Sequence, residues 1–136
     1  MRIRAGALGQ GLPVRDLVVS PQHRMLVTGP RVELITGEPE ALVPALALLG
    51  RPGIERCAPG AVSYLHVMCA RHQILRAEGA WSESFQPGAR VLADMDEGQR
   101  AELELLFPAL FEGQPDLAYP AARRTLSAPE ARMLAA

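Results

Sequence analysis

The sequence contains no lysine and no asparagine. Without lysine there is no Schiff-base nucleophile and no P-loop, which excludes carbonyl–lysine chemistry and Walker-type phosphate binding. Cysteine is scarce: Cys57 and Cys69 form no CxxC pair and no disulfide framework. One bridge between them remains an option, and two free thiols in a reducing compartment is the expectation. No apolar run approaches the roughly 18 residues of a membrane span. The N-terminal stretch MRIRAGALGQGLPVRD lacks the apolar core of a secretory signal. Fourteen basic against fifteen acidic residues give a net charge of −1. That leaves no basic excess for nucleic-acid phosphates or an anionic membrane. The expectation is a soluble chain with no nucleic-acid partner.

What is present suits one globular core: 136 residues, 49% hydrophobic and 21% charged. Ten of the twelve Gly and eight of the twelve Pro fall in the first ninety or so residues and cut them into short apolar runs. The runs are Leu17 to Val19, Met25 to Val27, Arg31 to Ile35, Ala41 to Pro44, Ile54 to Cys57, Val62 to Met68 and Gln73 to Ala77. Short β-branched runs bounded by Gly, Pro and Ser predict a small β unit with tight turns. Thr36 to Glu40 and Arg51 to Gly53 carry the turn chemistry. From Asp94 the period changes. Leu103, Leu106, Phe107 and Leu110 fall at helical spacing, and Asp94 with Glu97 resembles a capping box. Ser127 and Glu130 frame Pro129 and predict a second helix running to the C-terminus. The chain therefore divides into a mainly β part, 1–93, and a helical C-terminal extension, 94–136.

The candidates for chemistry centre on three histidines, His23, His66 and His72. His23 closes the turn Ser20-Pro21-Gln22-His23, whose Ser20 and His23 side chains can share a pocket. A neutral imidazole there suits a general acid or base. The alternative is that both residues only satisfy the turn's own backbone. His66 and His72 flank a predicted hairpin, Val62 to Met68 against Gln73 to Glu78. With Ala70 and Arg71 as its loop, Cys69 opposes His72, His66 opposes Leu75, and the two histidines face opposite sides. A one-residue slip reverses that. Cys69 with His72 reads either as an activated thiolate or as a buried inert thiol beside a structural histidine. The His and Cys spacings match no zinc motif, so no metal and no other cofactor is expected. Glu78-Gly79 and Ser82-Glu83-Ser84 read as turn polar groups.

The order of these motifs resembles one family. Asp16-Leu17-Val18-Val19-Ser20-Pro21-Gln22-His23-Arg24 is similar to a DLxVSPxHR segment of bacterial Hint domains, the hedgehog/intein autoprocessing fold. Leu42-Val43-Pro44-Ala45 resembles the family's LVPA segment. Tyr64-Leu65-His66 through Arg71-His72, Ala77-Glu78-Gly79 and Glu83-Ser84-Phe85 resemble its YxHxxxxxHxxxxAEGxxxESF block. The tail, from Leu106-Phe107-Pro108 through Tyr119-Pro120 to Glu130-Ala131-Arg132, resembles the same subgroup's C-terminal extension. The resemblance implies a mainly β, Hint-like disc of curved hairpins, here incomplete at its N-terminus, with helices added at the C-terminus.

It also implies a self-cleaving chemistry, an N-to-S or N-to-O acyl shift at the peptide bond before a leading Cys or Ser. Ser20 and His23 correspond to the Thr/Ser-x-x-His motif, whose histidine polarises the scissile amide and protonates the departing nitrogen. His72 falls in the later assisting block, and His66 precedes it. In the family the nucleophile stands upstream of the Ser-x-x-His motif, whereas both cysteines here follow it. The expected partner is therefore an upstream segment of the same precursor or a complementing chain, without which the chain is expected to be inactive. Complete splicing by Asn cyclisation is excluded, since there is no Asn. The alternative is a non-catalytic β-rich interaction or structural module of Hint descent.

Overall fold

The computed structural model describes residues 1–58 and 65–135. It groups them into two units. The first gathers Met1–Leu65, Ile74–Glu83 and Arg123–Ala136, and the second His66–Gln73 and Ser84–Ala122. The units interleave along the chain, whereas the sequence pattern divides it once, at 93/94. Long-range pairing sets this grouping, and composition carries no record of it.

The first unit is mainly β. Strands β1 (Arg2–Ile3), β2 (Leu17–Val18) and β5 (Ile54–Glu55) form an antiparallel sheet in the order β2-β1-β5. Strands β3 (Arg24–Thr28), β4 (Glu40–Pro44), β6 (Ile74–Ala77) and β7 (Ala80–Glu83) form another, β4-β3-β7-β6. The register between β3 and β4 runs from Arg24↔Pro44 to Thr28↔Glu40. It sets Met25 beside Val43, and both are fully buried with Ile3, Val32, Ala41, Leu48 and Leu134 in one core. The outer edge of β4 is covered: Leu42 N–H donates to Arg124 O, and Leu126 N–H to Leu42 O, each at 2.8 Å. An edge left open there is a template for unwanted strand pairing. The runs at Leu17, Met25, Ala41, Ile54 and Gln73 thus supply strands as the sequence predicts.

Three expectations are corrected. The run Arg31 to Ile35 is not a strand but lies in helix α1 (Pro30–Thr36). Pro30 occupies the first turn, where its missing N–H costs nothing, and Gly37, at φ 76°, closes the C-terminal end. A five-residue apolar run does not by itself separate helix from strand. The hairpin is β6–β7, with Ala77 opposite Ala80 and Glu78-Gly79 as its turn. Both turn residues have positive φ, 50° and 81°, the combination a twisted two-residue hairpin requires. Leu65 to Gln73 forms no strand, so the alternation argument for His66 and His72 lapses; Val62 to Tyr64 lie outside the described residues. Finally, Asp94 ends helix α2 (Ala89–Asp94), and Asp96 instead caps helix α3 (Glu97–Leu106), accepting from Gln99 N–H at 2.9 Å. The cap spacing occurs twice in this stretch, and only the second is used.

The second unit packs α2, α3 and α4 (Pro115–Ala118) around Leu92, Leu103, Leu110 and Tyr119. The predicted apolar stripe is only partly inward: Leu106 is 62% exposed, because α3 ends there and a 3₁₀ turn, Pro108–Leu110, redirects the chain. Back in the first unit, helix α5 (Ala128–Ala135) begins at the predicted box. Ser127 donates its N–H (2.8 Å) and its hydroxyl (2.7 Å) to Glu130 Oε2. No described helix is long and apolar enough to cross a membrane.

Two predictions follow from these turns. A Cβ at Gly79 meets Leu12 Cδ2 at 2.7 Å in addition to the positive φ, so Gly79→Ala is expected to cost about 1–3 kcal/mol in urea unfolding. The Ser127 bonds hold the Glu130 carboxyl below the usual carboxylate range. A depressed folded value gives stability that is present above the unfolded value and is lost as pH falls through the folded one. The loss in Tm caused by Glu130→Ala should therefore be largest above the ordinary carboxylate range and shrink as the pH falls through and below it.

Candidate functional site

Ser20 and His23 meet in a single β-turn of the first unit. Pro21 presets its own φ, and the His23 N–H reaches back to Ser20 O (3.2 Å) and Ser20 Oγ (3.1 Å). The turn is tied down from outside: Ala45 N–H donates to His23 O and Leu46 N–H to Pro21 O, each at 2.9 Å. These two amides belong to a 3₁₀ turn, Ala45–Leu48, that follows β4 directly. The last residue of the LVPA run and the one after it therefore hold the Ser20–His23 turn through backbone bonds. Ser20 and His23 are half-buried, while Pro21 and Gln22 face solvent.

On the far side of the turn stands a carboxylate. Arg24 N–H donates to Glu83 Oε1 at 2.9 Å, and Arg24 Nε lies 2.7 Å from Glu83 Oε2. Glu83 is 8% exposed. Burial pushes its carboxyl above the ordinary value, and the Arg24 charge opposes that shift. By its local sequence Glu83 reads as a turn residue. It ends a buried strand instead, and only long-range pairing brings it to Arg24.

His66 and His72 belong to the second unit. His66 is exposed and lies against the Phe85 ring, with centroids 4.2 Å apart. His72 is buried. Its Nδ1 accepts the Ala122 N–H at 2.8 Å, which assigns the ring proton to Nε2, 3.1 Å from Ser84 O. Around it, Gln73 N–H donates to Ser84 Oγ (2.9 Å) and Tyr119 Oη–H to Cys69 O (2.7 Å). Burial raises the Tyr119 hydroxyl above its ordinary value. The His72 nitrogens thus serve backbone groups from two segments, as a buried neutral imidazole must. Tyr119 and Ala122 lie in the tail that resembles the family, but nothing in the sequence pattern pairs them with Cys69 and His72. Among the described residues no group of three His, Cys, Asp or Glu side chains is gathered that could hold a metal ion.

Removing the His72 ring takes a partner from the half-buried Ala122 N–H and from the buried Ser84 carbonyl. His72→Ala is therefore expected to destabilise the fold by about 2–4 kcal/mol. A change below about 1 kcal/mol in denaturant unfolding would show that the ring does not hold these segments.

The comparisons with known proteins bear on the first unit above all. No curated protein and no solved structure matches the chain. A model of the Hint domain does match, over residues 1–89. That span includes the Ser20–His23 turn, the LVPA run that anchors it, and the β6–β7 hairpin that delivers Glu83. With most of its length matched, the chain belongs to the Hint domain family.

Proposed function

We propose that the chain is an autoprocessing module in which His23 acts on a peptide bond supplied by a segment joined to, or docked at, its N-terminus. The observation that carries this is the pairing of Met1. Its amino group donates to Val19 O and Val19 N–H donates to Met1 O, both at 2.9 Å, which extends the β1–β2 register by one residue. In that register a residue added before Met1 falls opposite Ser20. A scissile bond arriving along β1 then comes alongside the turn that holds His23.

The chemistry is an acyl shift. The sulfur of a leading Cys, or the oxygen of a leading Ser, bonds to the carbonyl carbon of the residue before it, and that residue's C–N bond breaks. The nitrogen leaves with a proton from the imidazole, and the nucleophile's own proton returns to the ring. Positioned acid–base catalysis of this kind is worth about 10²–10⁴-fold. Residues 1–19 contain no Cys or Ser, so the 136 residues taken alone are expected to be inactive. His72 and His66 are assigned no proton transfer in this reading, since His72 serves the backbone and His66 lies against Phe85.

A second reading has one observation in its favour: the Ser20 hydroxyl accepts the turn's own N–H, which is what a non-catalytic module also needs. The two separate in one experiment. A chain extended upstream through a leading Cys is incubated with dithiothreitol or hydroxylamine, and its cleavage is followed by intact mass. Cleavage is expected, slowed at least about 100-fold by His23→Ala. An uncleaved wild-type precursor favours the interaction module, and undiminished cleavage by the variant removes His23 from the mechanism.

A further inference from the structure

The strand register explains why a carboxylate stands beside the turn. β3 and β7 pair at Met25↔Ser82, which puts Arg24 and Glu83 at the next antiparallel position. There the Glu83 side chain takes the Arg24 N–H, where a ladder would use a main-chain carbonyl. As a result the peptide group that leaves His23 is gripped at both poles. Its carbonyl accepts from Ala45 N–H at 2.9 Å, and its N–H donates to Glu83 Oε1 at 2.9 Å. The second carboxylate oxygen faces Arg24 Nε at 2.7 Å, so one residue addresses both oxygens.

Folding alone gives little reason for this choice. A buried ion pair is weak support for stability, because desolvation offsets much of the attraction, and apolar replacements of similar volume are often neutral or better. What a charged acceptor on a rigid strand does supply is a short, directed bond that fixes one peptide plane. The plane it fixes is the one attached to His23. We infer that Glu83 is a positioning residue for His23, holding the His23–Arg24 peptide so that the imidazole keeps one orientation toward an incoming scissile bond. This rests on the autoprocessing reading for its purpose, while the positioning itself can be observed without any cleavage.

The experiment has two arms. In the first, ¹H–¹⁵N spectra of the 136-residue chain are recorded for wild type, Glu83→Gln and Glu83→Ala, all below their melting temperatures. The Arg24 amide and the His23 ring resonances are expected to move in Glu83→Ala and to stay near wild type in Glu83→Gln, whose amide oxygen still accepts the Arg24 N–H. A residue that merely stabilises the fold lowers Tm without moving the His23 ring signals. In the second arm the same variants are placed in the Cys-headed precursor. Glu83→Ala is expected to slow cleavage about tenfold or more, and Glu83→Gln to remain within about threefold of wild type, since small misplacements of a catalytic group carry losses of this order. Unmoved His23 resonances in a folded Glu83→Ala variant, or wild-type cleavage by it, overturns the inference. If Glu83→Ala does not fold, Glu83→Gln and Glu83→Asp decide it, with displaced His23 signals expected for the shortened Asp and unmoved ones in both overturning it. A wild-type precursor that fails to cleave removes the autoprocessing reading and leaves the resonances to decide the positioning.

Discussion

The pairing of Arg24–Thr28 with Glu40–Pro44 is the constraint on which the first unit depends. Through it Met25 and Val43 enter the core side by side, with no exposed surface on either. Such a pair is held by dense packing as much as by ladder bonds, since a buried side chain gains many small contacts at once. The same strand pair fixes the candidate site. His23 is the residue immediately before β3, and the amides that hold its turn are the first ones after β4. Sliding this register would move the turn and its anchors apart. The tail confirms how much is built on β4: Arg124 and Leu126 bond to Leu42 on its outer edge, and Leu126, Ala131 and Leu134 complete the core.

Two buried polar groups show opposite solutions to one problem. His72 is kept neutral, and its ring nitrogens face a backbone N–H and a backbone carbonyl. Nothing charged is desolvated, so the arrangement serves the fold. Glu83 faces a desolvation penalty that raises its carboxyl, and Arg24 offsets it. A penalty that stability does not demand points toward function more than a satisfied imidazole does. By this measure the first unit's polar centre outranks the second's, although the sequence offers two histidines in the second and one in the first.

Much of the local structure was legible. Gly37 and Gly53 take the positive φ that their turns require, and Ser127 with Glu130 begins α5 where the spacing says it should. Other features were ambiguous for definite reasons. Arg31 to Ile35 is too short for its apolar pattern to separate strand from helix, and Pro30 with Gly37 decides in favour of α1. Asp94 and Asp96 offer the same cap spacing, and only the fold chooses between them. The apolar runs on either side of Ala70-Arg71 suggest a hairpin there, but Glu78-Gly79 carries the better turn chemistry and forms it.

The candidate site divides along the same line. Ser20, Pro21 and His23 lie within four residues, so their turn is written in the sequence, where local torsional preference and short-range hydrogen bonds suffice. So is the family, because its motifs are contiguous runs read in order. Whether those residues have supports was not written there. Glu83 reaches Arg24 across 59 positions, and Ala122 reaches His72 across 50. Such contacts exist only once strand register and core packing bring distant backbone together. Local chemistry therefore determined which residues form the turn, and tertiary structure alone decided what holds it.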